Sequence, residues 1–299
     1  MRSIPYLWDG SSSGLPSAWK RQLDSARRVL AASDFDGTLS EIAARPETAR
    51  AVPGAQAALA ALGRRLGWEV AIVSGRALSD LRARCPVPGA WYIGSHGNQL
   101  AAPPGRRFKL PAPARFSAAA RAELRKMARR WPGVVVEAKP VSVALHFRQA
   151  PQLESEILRA GRALARRYGY HPLLGKCMLE LIVPGARNKG ETIALLARQL
   201  AADAVIYFGD DRTDETVFAL RTVPLLGVYV APGKPEKTTT AFPETIASKS
   251  TKRERRPWPT RAHYWLAGPA EVVQTLQSLA LKDSKNHRQA GSRPVKRKS

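Results

Sequence analysis

Four short apolar runs in this chain each end in small, hydroxylic or acidic residues, and helical stretches lie between them. Val29-Leu30-Ala31-Ala32 leads into Asp34-Phe35-Asp36-Gly37-Thr38, and Val70-Ala71-Ile72-Val73 into Ser74-Gly75-Arg76. Trp91-Tyr92-Ile93 leads into Gly94-Ser95-His96-Gly97-Asn98, and Val205-Ile206-Tyr207-Phe208 into Gly209-Asp210-Asp211 with Asp214 and Glu215 beyond. Residues 51–66, 76–85 and 188–200 repeat apolar side chains at helical spacing, and residues 19–30 predict a further helix feeding the first strand. A strand–helix–strand rhythm requires parallel crossovers. Open parallel sheets of this kind bind ligands at the carboxyl ends of their strands, where the chemically interesting residues fall. The expected fold class is α/β with a Rossmann-like parallel-sheet core.

The pattern changes near residue 103. Residues 117–130 predict a basic helix, residues 134–148 and 176–183 alternate apolar and polar side chains, and a helix is expected over 151–168. Alternation marks an antiparallel sheet with one covered face. The organisation read from this is a polar lead-in over 1–28, a core from 29–105 and 186–281, an inserted α+β domain over 106–185, and a basic tail over 282–299. Residues 232–260 read as a loop, and residues 270–281 as a closing helix.

Lys and Arg number 48 against 24 Asp and Glu, a formal net charge of +24. The tail holds seven Lys/Arg against one Asp, and residues 249–261 hold six against one Glu. Basic runs attract polyanions. No stacking-aromatic or groove-reading motif accompanies them, so nucleic acid is not expected as a partner. No apolar stretch reaches the ~18 residues of a membrane span, and residues 1–16 contain no apolar signal core. Cys85 and Cys177 have no metal-type spacing and are expected to be reduced and buried. A cytoplasmic monomer without a membrane partner is the expectation.

If the four strand ends converge, they gather several carboxylates, a hydroxyl and the Lys189 ammonium. Clustered carboxylates without matching cations favour a hard divalent ion, and oxygen-only ligation suits Mg²⁺. Asp34 and Asp36 stand at i and i+2, so an extended backbone would point both at one substrate. One could attack phosphorus while the other handles protons. Gly37 permits a tight turn. Thr38 and Ser74 can donate to phosphoryl oxygens, and Lys189 can neutralise charge there.

These residues resemble the haloacid dehalogenase superfamily. Asp34-Phe35-Asp36-Gly37-Thr38-Leu39 is similar to its first signature, and Ser74, Lys189 and the Asp210-Asp211…Asp214 group to its later motifs, in order. Residues 74–76, 94–97, 136–148, 188–190 and 209–215 narrow the resemblance to the trehalose-6-phosphate phosphatase family. The resemblance implies a core of haloacid dehalogenase type with a cap domain. It implies Asp34 as nucleophile and Mg²⁺ ligand, and Asp36 as general acid/base that binds the ion through its backbone carbonyl. It further implies Asp210 as a metal ligand supported by Asp211 and Asp214. Thr38, Ser74, Gly75 and Lys189 would hold phosphate, with Arg76 either assisting them or bracing the sheet end. Glu137, Lys139, Lys176 and Glu180 would contact sugar hydroxyls. His96 and Asn98 are candidates for the same role, or for capping a strand turn. The implied activity is Mg²⁺-dependent hydrolysis of trehalose 6-phosphate through an aspartyl-phosphate. The alternatives are a sucrose- or mannosyl-type phosphatase, a mutase, or a polyanion-binding protein on this fold.

Overall fold

The structure, a computed structural model, describes residues 4–7, 15–43, 45–108, 110–111, 115–175, 177–231 and 259–281. Lys176, the basic tail over 282–299, and the 232–260 loop as far as residue 258 lie outside the described residues. The chain divides into two compact units, one drawing on residues up to Phe108 and from Lys189 onward, the other on the stretch between.

The larger unit is built on a seven-stranded sheet. Its elements are α1 (Ser17–Ser25), β1 (Val29–Asp34), α2 (Ala55–Gly63), β2 (Trp68–Val73), α3 (Leu78–Arg84), β3 (Trp91–Gly94) and β4 (Gln99–Ala101). From Lys189 onward the same unit contributes the strands and helices that complete the sheet. The smaller unit contributes α4 (Ala118–Ala128), β5 (Val135–Ala138), β6 (Ser142–His146), α5 (Glu154–Tyr168), β7 (His171–Gly175) and β8 (Met178–Ile182). The larger unit resumes with α6 (Lys189–Gln199), β9 (Ala204–Gly209), α7 (Glu215–Phe218), β10 (Leu225–Val230), β11 (Tyr264–Leu266) and α8 (Pro269–Ala280). The strand order is β11-β10-β9-β1-β2-β3-β4, parallel throughout except where the short edge strand β4 runs back along β3.

The inner strands β1, β9 and β10 are buried on both faces, and their side chains alternate between two apolar layers. Val29 and Ala31 face the layer that holds Leu59, Leu62 and Leu276, whereas Leu30 and Ala32 face the layer that holds Ile193 and Leu196. Each fully buried Leu or Ile contributes about 1.5–3 kcal/mol. Register decides what this unit can do. Asp34 lies opposite Val73, Ser33 opposite Phe208, and Val73 opposite Ile93. The four tips of β9, β1, β2 and β3 therefore end level with one another.

Several sequence expectations are corrected here. The helix expected over 19–30 ends at Ser25, because the backbone N–H groups of Arg27 and Arg28 donate to the Asp203 carboxylate, both at 2.9 Å, and turn the chain into β1. The polar lead-in packs on the core: Leu7 is buried, its N–H donates to the Trp265 carbonyl at 3.0 Å, and the Tyr6 hydroxyl donates to Glu271 at 2.6 Å. Short β11 leaves open backbone groups on its far side, and this segment satisfies them. Cys85 is buried, but Cys177 is only partly so, on the hairpin between β7 and β8. The smaller unit starts at residue 109, not 106, because Arg106 pairs with Glu69 at 2.7 Å and Phe108 packs edge-on to Trp91. It runs to 188, not 185: Ala186 packs on its core, and Arg187 donates to the Pro111 carbonyl at 2.7 Å.

The smaller unit has an antiparallel sheet in the order β5-β6-β8-β7. Val143, Leu145, Leu179 and Leu181 pack on α4 and α5 through Leu124, Ile157 and Leu164. Ser117 caps α4 by accepting from the Ala120 N–H at 3.4 Å. Gly169, at φ +70°, closes α5 in the left-handed conformation.

Candidate active site

The level strand tips bring Asp34, Asp210, Asp211, Asp214 and Lys189 into one cluster. Lys189 is 2% exposed; its Nζ donates to Asp34 Oδ1 at 2.7 Å and to Asp214 Oδ1 at 2.8 Å, and lies 3.7 Å from Asp211 Oδ1. It begins α6, so the helix delivers the ammonium from the side of the sheet opposite α2 and α8. An ammonium this deep is tolerable only because it is paired. Burial works against its charge, but Asp211, Asp214 and Asp34 outweigh it and raise the Lys189 pKa well above the ordinary lysine value.

Asp214 is saturated. Oδ1 accepts from Lys189 and from the Tyr207 hydroxyl at 2.6 Å; Oδ2 accepts from the N–H groups of Asp210 and Asp211 at 3.0 and 3.1 Å. It organises the turn after β9. Burial pushes its carboxyl up to about 6 against the opposing pull of Lys189. Asp211 is tied to the same turn by the N–H and hydroxyl of Thr213, at 2.8 and 2.7 Å. Against its own desolvation, Lys189 and Thr213 hold its carboxyl well below the usual range. Glu215 faces away, accepting from the Arg261 N–H at 2.8 Å.

The cluster is short of positive charge even so. Desolvation raises Asp34 well above the carboxylate range; Lys189 opposes this, while Asp214, Asp210 and Asp211 add to it. Asp210 is raised by desolvation and then by Asp214 and Asp211. Oxygens of Asp34, Asp210 and Asp214 lie within 4.8 Å of one another. Because both Asp214 oxygens already accept two hydrogen bonds, Asp34 and Asp210 are the carboxylates left to hold a cation. Gly37 sits directly beneath them at φ +81°, where a Cβ would stand 2.1 Å from Asp210 Oδ2. An all-oxygen donor pair in a partly neutralised pocket suits a hard divalent ion. The Thr38 hydroxyl lies 3.5 Å from Asp210 Oδ1.

Asp36 does not join this group. The chain turns at Phe35, directly after β1, and the Asp36 carboxylate meets Arg76, accepting from Nε at 2.8 Å and from Nη2 at 2.6 Å. It also accepts from Ser74 Oγ at 3.3 Å. The expectation of carboxylates with no matching cation is thereby corrected: Lys189 serves Asp34, and Arg76 serves Asp36. Arg76 braces the tip and also meets the second aspartate.

The third tip carries backbone strain. Ser95 and His96 hold φ of 49° and 55°, unusual for non-glycine residues. The turn is fastened by Ser95 N–H to the Arg76 carbonyl at 2.7 Å and His96 N–H to the Ser74 carbonyl at 3.1 Å. The His96 ring lies over Gly75, where a Cβ would come within 2.4 Å of it. The Asn98 amide donates to the Ser95 carbonyl at 2.8 Å and so closes the turn. Strain of this kind costs roughly 1–3 kcal/mol per residue and gathers at functional sites.

In the smaller unit, the open face of the sheet carries a polar cluster. Glu180, 4% exposed, accepts from Ser142 Oγ at 2.6 Å and from Lys139 Nζ at 3.5 Å. Lys139 Nζ also lies 3.7 Å from Glu137, which pairs with His146 Nε2 at 3.0 Å. Glu137, Lys139 and Glu180 are thus brought together, joined by Ser142 and His146.

Two contributors escaped the sequence reading. Tyr207 lies inside an apolar run, and a buried tyrosine hydroxyl must find an acceptor. Asp80 accepts from Arg76 at 2.8 Å and from Arg84 at 2.7 Å. Its i−4 and i+4 spacing to two arginines is visible in the sequence.

Residues 32–242 match the trehalose-phosphatase family. The trehalose-phosphate phosphatase of Mycobacterium tuberculosis is 39% identical over 202 residues, covering 64% of this chain and 51% of that protein. That of Mycobacterium avium is 40% identical over 211 residues, covering 66% and 52%. The chain thus spans about half the length of these curated relatives. Among solved structures, Aspergillus fumigatus trehalose-6-phosphate phosphatase superposes with TM-score 0.60 at 25% identity, covering 87% of this chain and 95% of that one. The Candida albicans trehalose-6-phosphate phosphatase C-terminal domain shares the fold, with TM-score 0.67 at 21% identity over 93% and 98%. With a match that runs through every strand tip bearing a candidate residue, the chain belongs to the trehalose-phosphatase family.

Proposed function

We propose that this protein hydrolyses trehalose 6-phosphate to trehalose and phosphate. The observation that carries the reading is the Asp34–Lys189–Asp214 triad of 2.7 and 2.8 Å contacts with Asp210 alongside, set at the tip of β1 level with Val73, which Ser74 follows. The family and the named activity of the relatives support the substrate.

Asp34 is the nucleophile. Lys189 binds one of its oxygens, orients the carboxylate and leaves the other oxygen to attack phosphorus. Ser74 and Thr38 donate hydroxyl hydrogens to the non-bridging oxygens, and Lys189 offsets charge gathered there. As the P–O bond to the sugar breaks, Asp36 gives its proton to the departing oxygen. It then takes a proton from the water that cleaves the aspartyl-phosphate, which restores Asp34 as the carboxylate and Asp36 as the acid. A divalent ion held by Asp34 and Asp210, with the Asp36 carbonyl as a further ligand, would supply charge neutralisation between nucleophile and phosphate. Mg²⁺ is the ion this donor set favours. Glu137, Lys139 and Glu180, with Ser142 and His146, offer the mixed donors and acceptors that sugar hydroxyls require. Lys176, outside the described residues, is assigned to the same task.

The test is phosphate release from a panel of sugar phosphates, with and without EDTA. Trehalose 6-phosphate should be turned over fastest, EDTA should stop turnover, and Asp34→Asn should abolish it. Equal rates for Asp34→Asn and wild type would defeat the mechanism. Preference for sucrose phosphate or a mannosyl phosphate would defeat the substrate assignment alone.

A further inference from the structure

Arg76, the residue that meets Asp36, is itself held from behind by a ladder of charged side chains that the reaction just described does not use. Arg76 Nη1 donates to Asp80 Oδ2 at 2.8 Å, and the other Asp80 oxygen accepts from Arg84 Nε at 2.7 Å. Arg84 Nη1 continues to the carbonyls of Glu47 and Ala49 at 2.6 and 3.1 Å. Arg50 Nη1 donates to the same two carbonyls, at 3.1 and 2.9 Å. The ladder thus runs from the loop after β1 along α3 and ends on the carboxylate assigned to proton transfer.

Its geometry leaves Arg76 one orientation. Two edges of the guanidinium are committed to Asp36 and Asp80, and its face lies 5.6 Å from the centre of the Phe35 ring. The Arg76 and Arg84 side chains are only 11% and 12% exposed. Asp36 is 42% exposed, but its forked bonds with Arg76 fix direction as well as distance. Asp80 is more exposed, at 37%, and a pair of that kind adds little stability. What it does add is a fixed position for Arg76. The Arg84 and Arg76 guanidiniums hold the Asp80 carboxyl below the usual range, so it stays ionised and keeps both partners.

We propose that Asp80 is a positioning residue: it fixes Arg76, which in turn seats the Asp36 carboxylate beside the Ser74 hydroxyl, in place for proton transfer to the leaving sugar oxygen. The proposal rests on the phosphatase reading. Asp36 lies 3.3 Å from Ser74 Oγ, the phosphate-holding hydroxyl, so a small displacement of Arg76 moves the carboxylate relative to the bond that breaks. Displacements near 1 Å cost on the order of tenfold to a hundredfold in rate.

The experiment uses Asp80→Ala in the full chain. With trehalose 6-phosphate, kcat should fall about tenfold, within the range expected for a misplaced acid, while KM stays within about twofold. With p-nitrophenyl phosphate, whose phenolate departs without a proton, kcat/KM, which reports the first transfer and not the later hydrolysis, should change less than about twofold. Equal losses of kcat/KM on both substrates, or no loss on the sugar phosphate, would overturn the proposal. A measurement independent of turnover separates it from the phosphatase reading. The Arg76 Nε–H signal in a ¹⁵N-labelled protein should be protected from solvent exchange in wild type and exchange about tenfold faster in Asp80→Ala. Unchanged exchange refutes the ladder whether or not the protein is active. An inactive wild type with the expected exchange change refutes only the reaction.

Discussion

Removing the Lys189 ammonium while keeping its length, as in Lys189→Met, probes the centre of the candidate site. The buried cluster sets four carboxylates, Asp34, Asp210, Asp211 and Asp214, around one cation. The lost positive charge must be matched by one added proton, since a carboxylate stripped of its partner at this depth is far costlier than a neutral acid. That proton sets the magnitude. Protonating a carboxyl whose ordinary pKa is 3.8 costs about 1.4 kcal/mol for each pH unit above that value. The loss of stability should therefore be about 4 kcal/mol at pH 7 and roughly 2 kcal/mol at pH 5. Urea denaturation followed by circular dichroism, in EDTA, measures both. A loss under about 1 kcal/mol at pH 7, or the same loss at both pH values, would refute the idea that Lys189 is the charge that holds these carboxylates together. The added proton would also occupy a carboxylate needed for the reaction, so turnover should vanish even where the variant is folded.

In the metal-free protein, Asp214, with its carboxyl raised to about 6, binds a proton more readily folded than unfolded. Its contribution is complete below the ordinary carboxyl pKa and is lost as pH rises through about 6. Asp34 and Asp210, also raised, act in the same direction, so stability in EDTA should fall as pH rises from about 4 through the Asp214 value of about 6, and Mg²⁺ should flatten that slope. Thermal melts across that range check the sign. Gly37→Ala should leave an assembled sheet but displace Asp210, because the added Cβ would stand 2.1 Å from its Oδ2; calorimetry should read a Mg²⁺ affinity at least about tenfold weaker. Tyr207→Phe removes one donor from Asp214 at 2.6 Å and should cost about 1–2 kcal/mol in urea denaturation, with kcat reduced and KM little changed.

How much of this was legible in the sequence differs by element. Strands β1, β2, β3 and β9 were visible as apolar runs, and α6 as a periodic stretch, because burial on one or both sides imposes a local pattern. Strands β4, β7 and β11 were missed. Gln99–Ala101 is too short and half-buried to show a period, and His171–Gly175 contains Pro172 and a glycine. The pairing of Asp34 with Lys189 across 155 positions follows from motif order only if β1 and β9 are neighbours, and that is a fact of sheet order.

The sequence by itself determined the residue types at each strand tip, the insertion of a second unit, and the excess of carboxylates that makes a divalent ion attractive. Local periodicity and composition suffice for these. The tertiary structure alone decided how the charges divide. Asp34 went to Lys189 and Asp36 to Arg76, although a single residue separates the pair, because the chain turns as soon as β1 ends. It also decided that both Asp214 oxygens are taken up by hydrogen bonds, whereas Asp210 accepts from the Thr38 hydroxyl on one oxygen. Which oxygen meets which donor depends on the register between strands, and register is set by the packing of whole faces, which no single stretch of sequence contains.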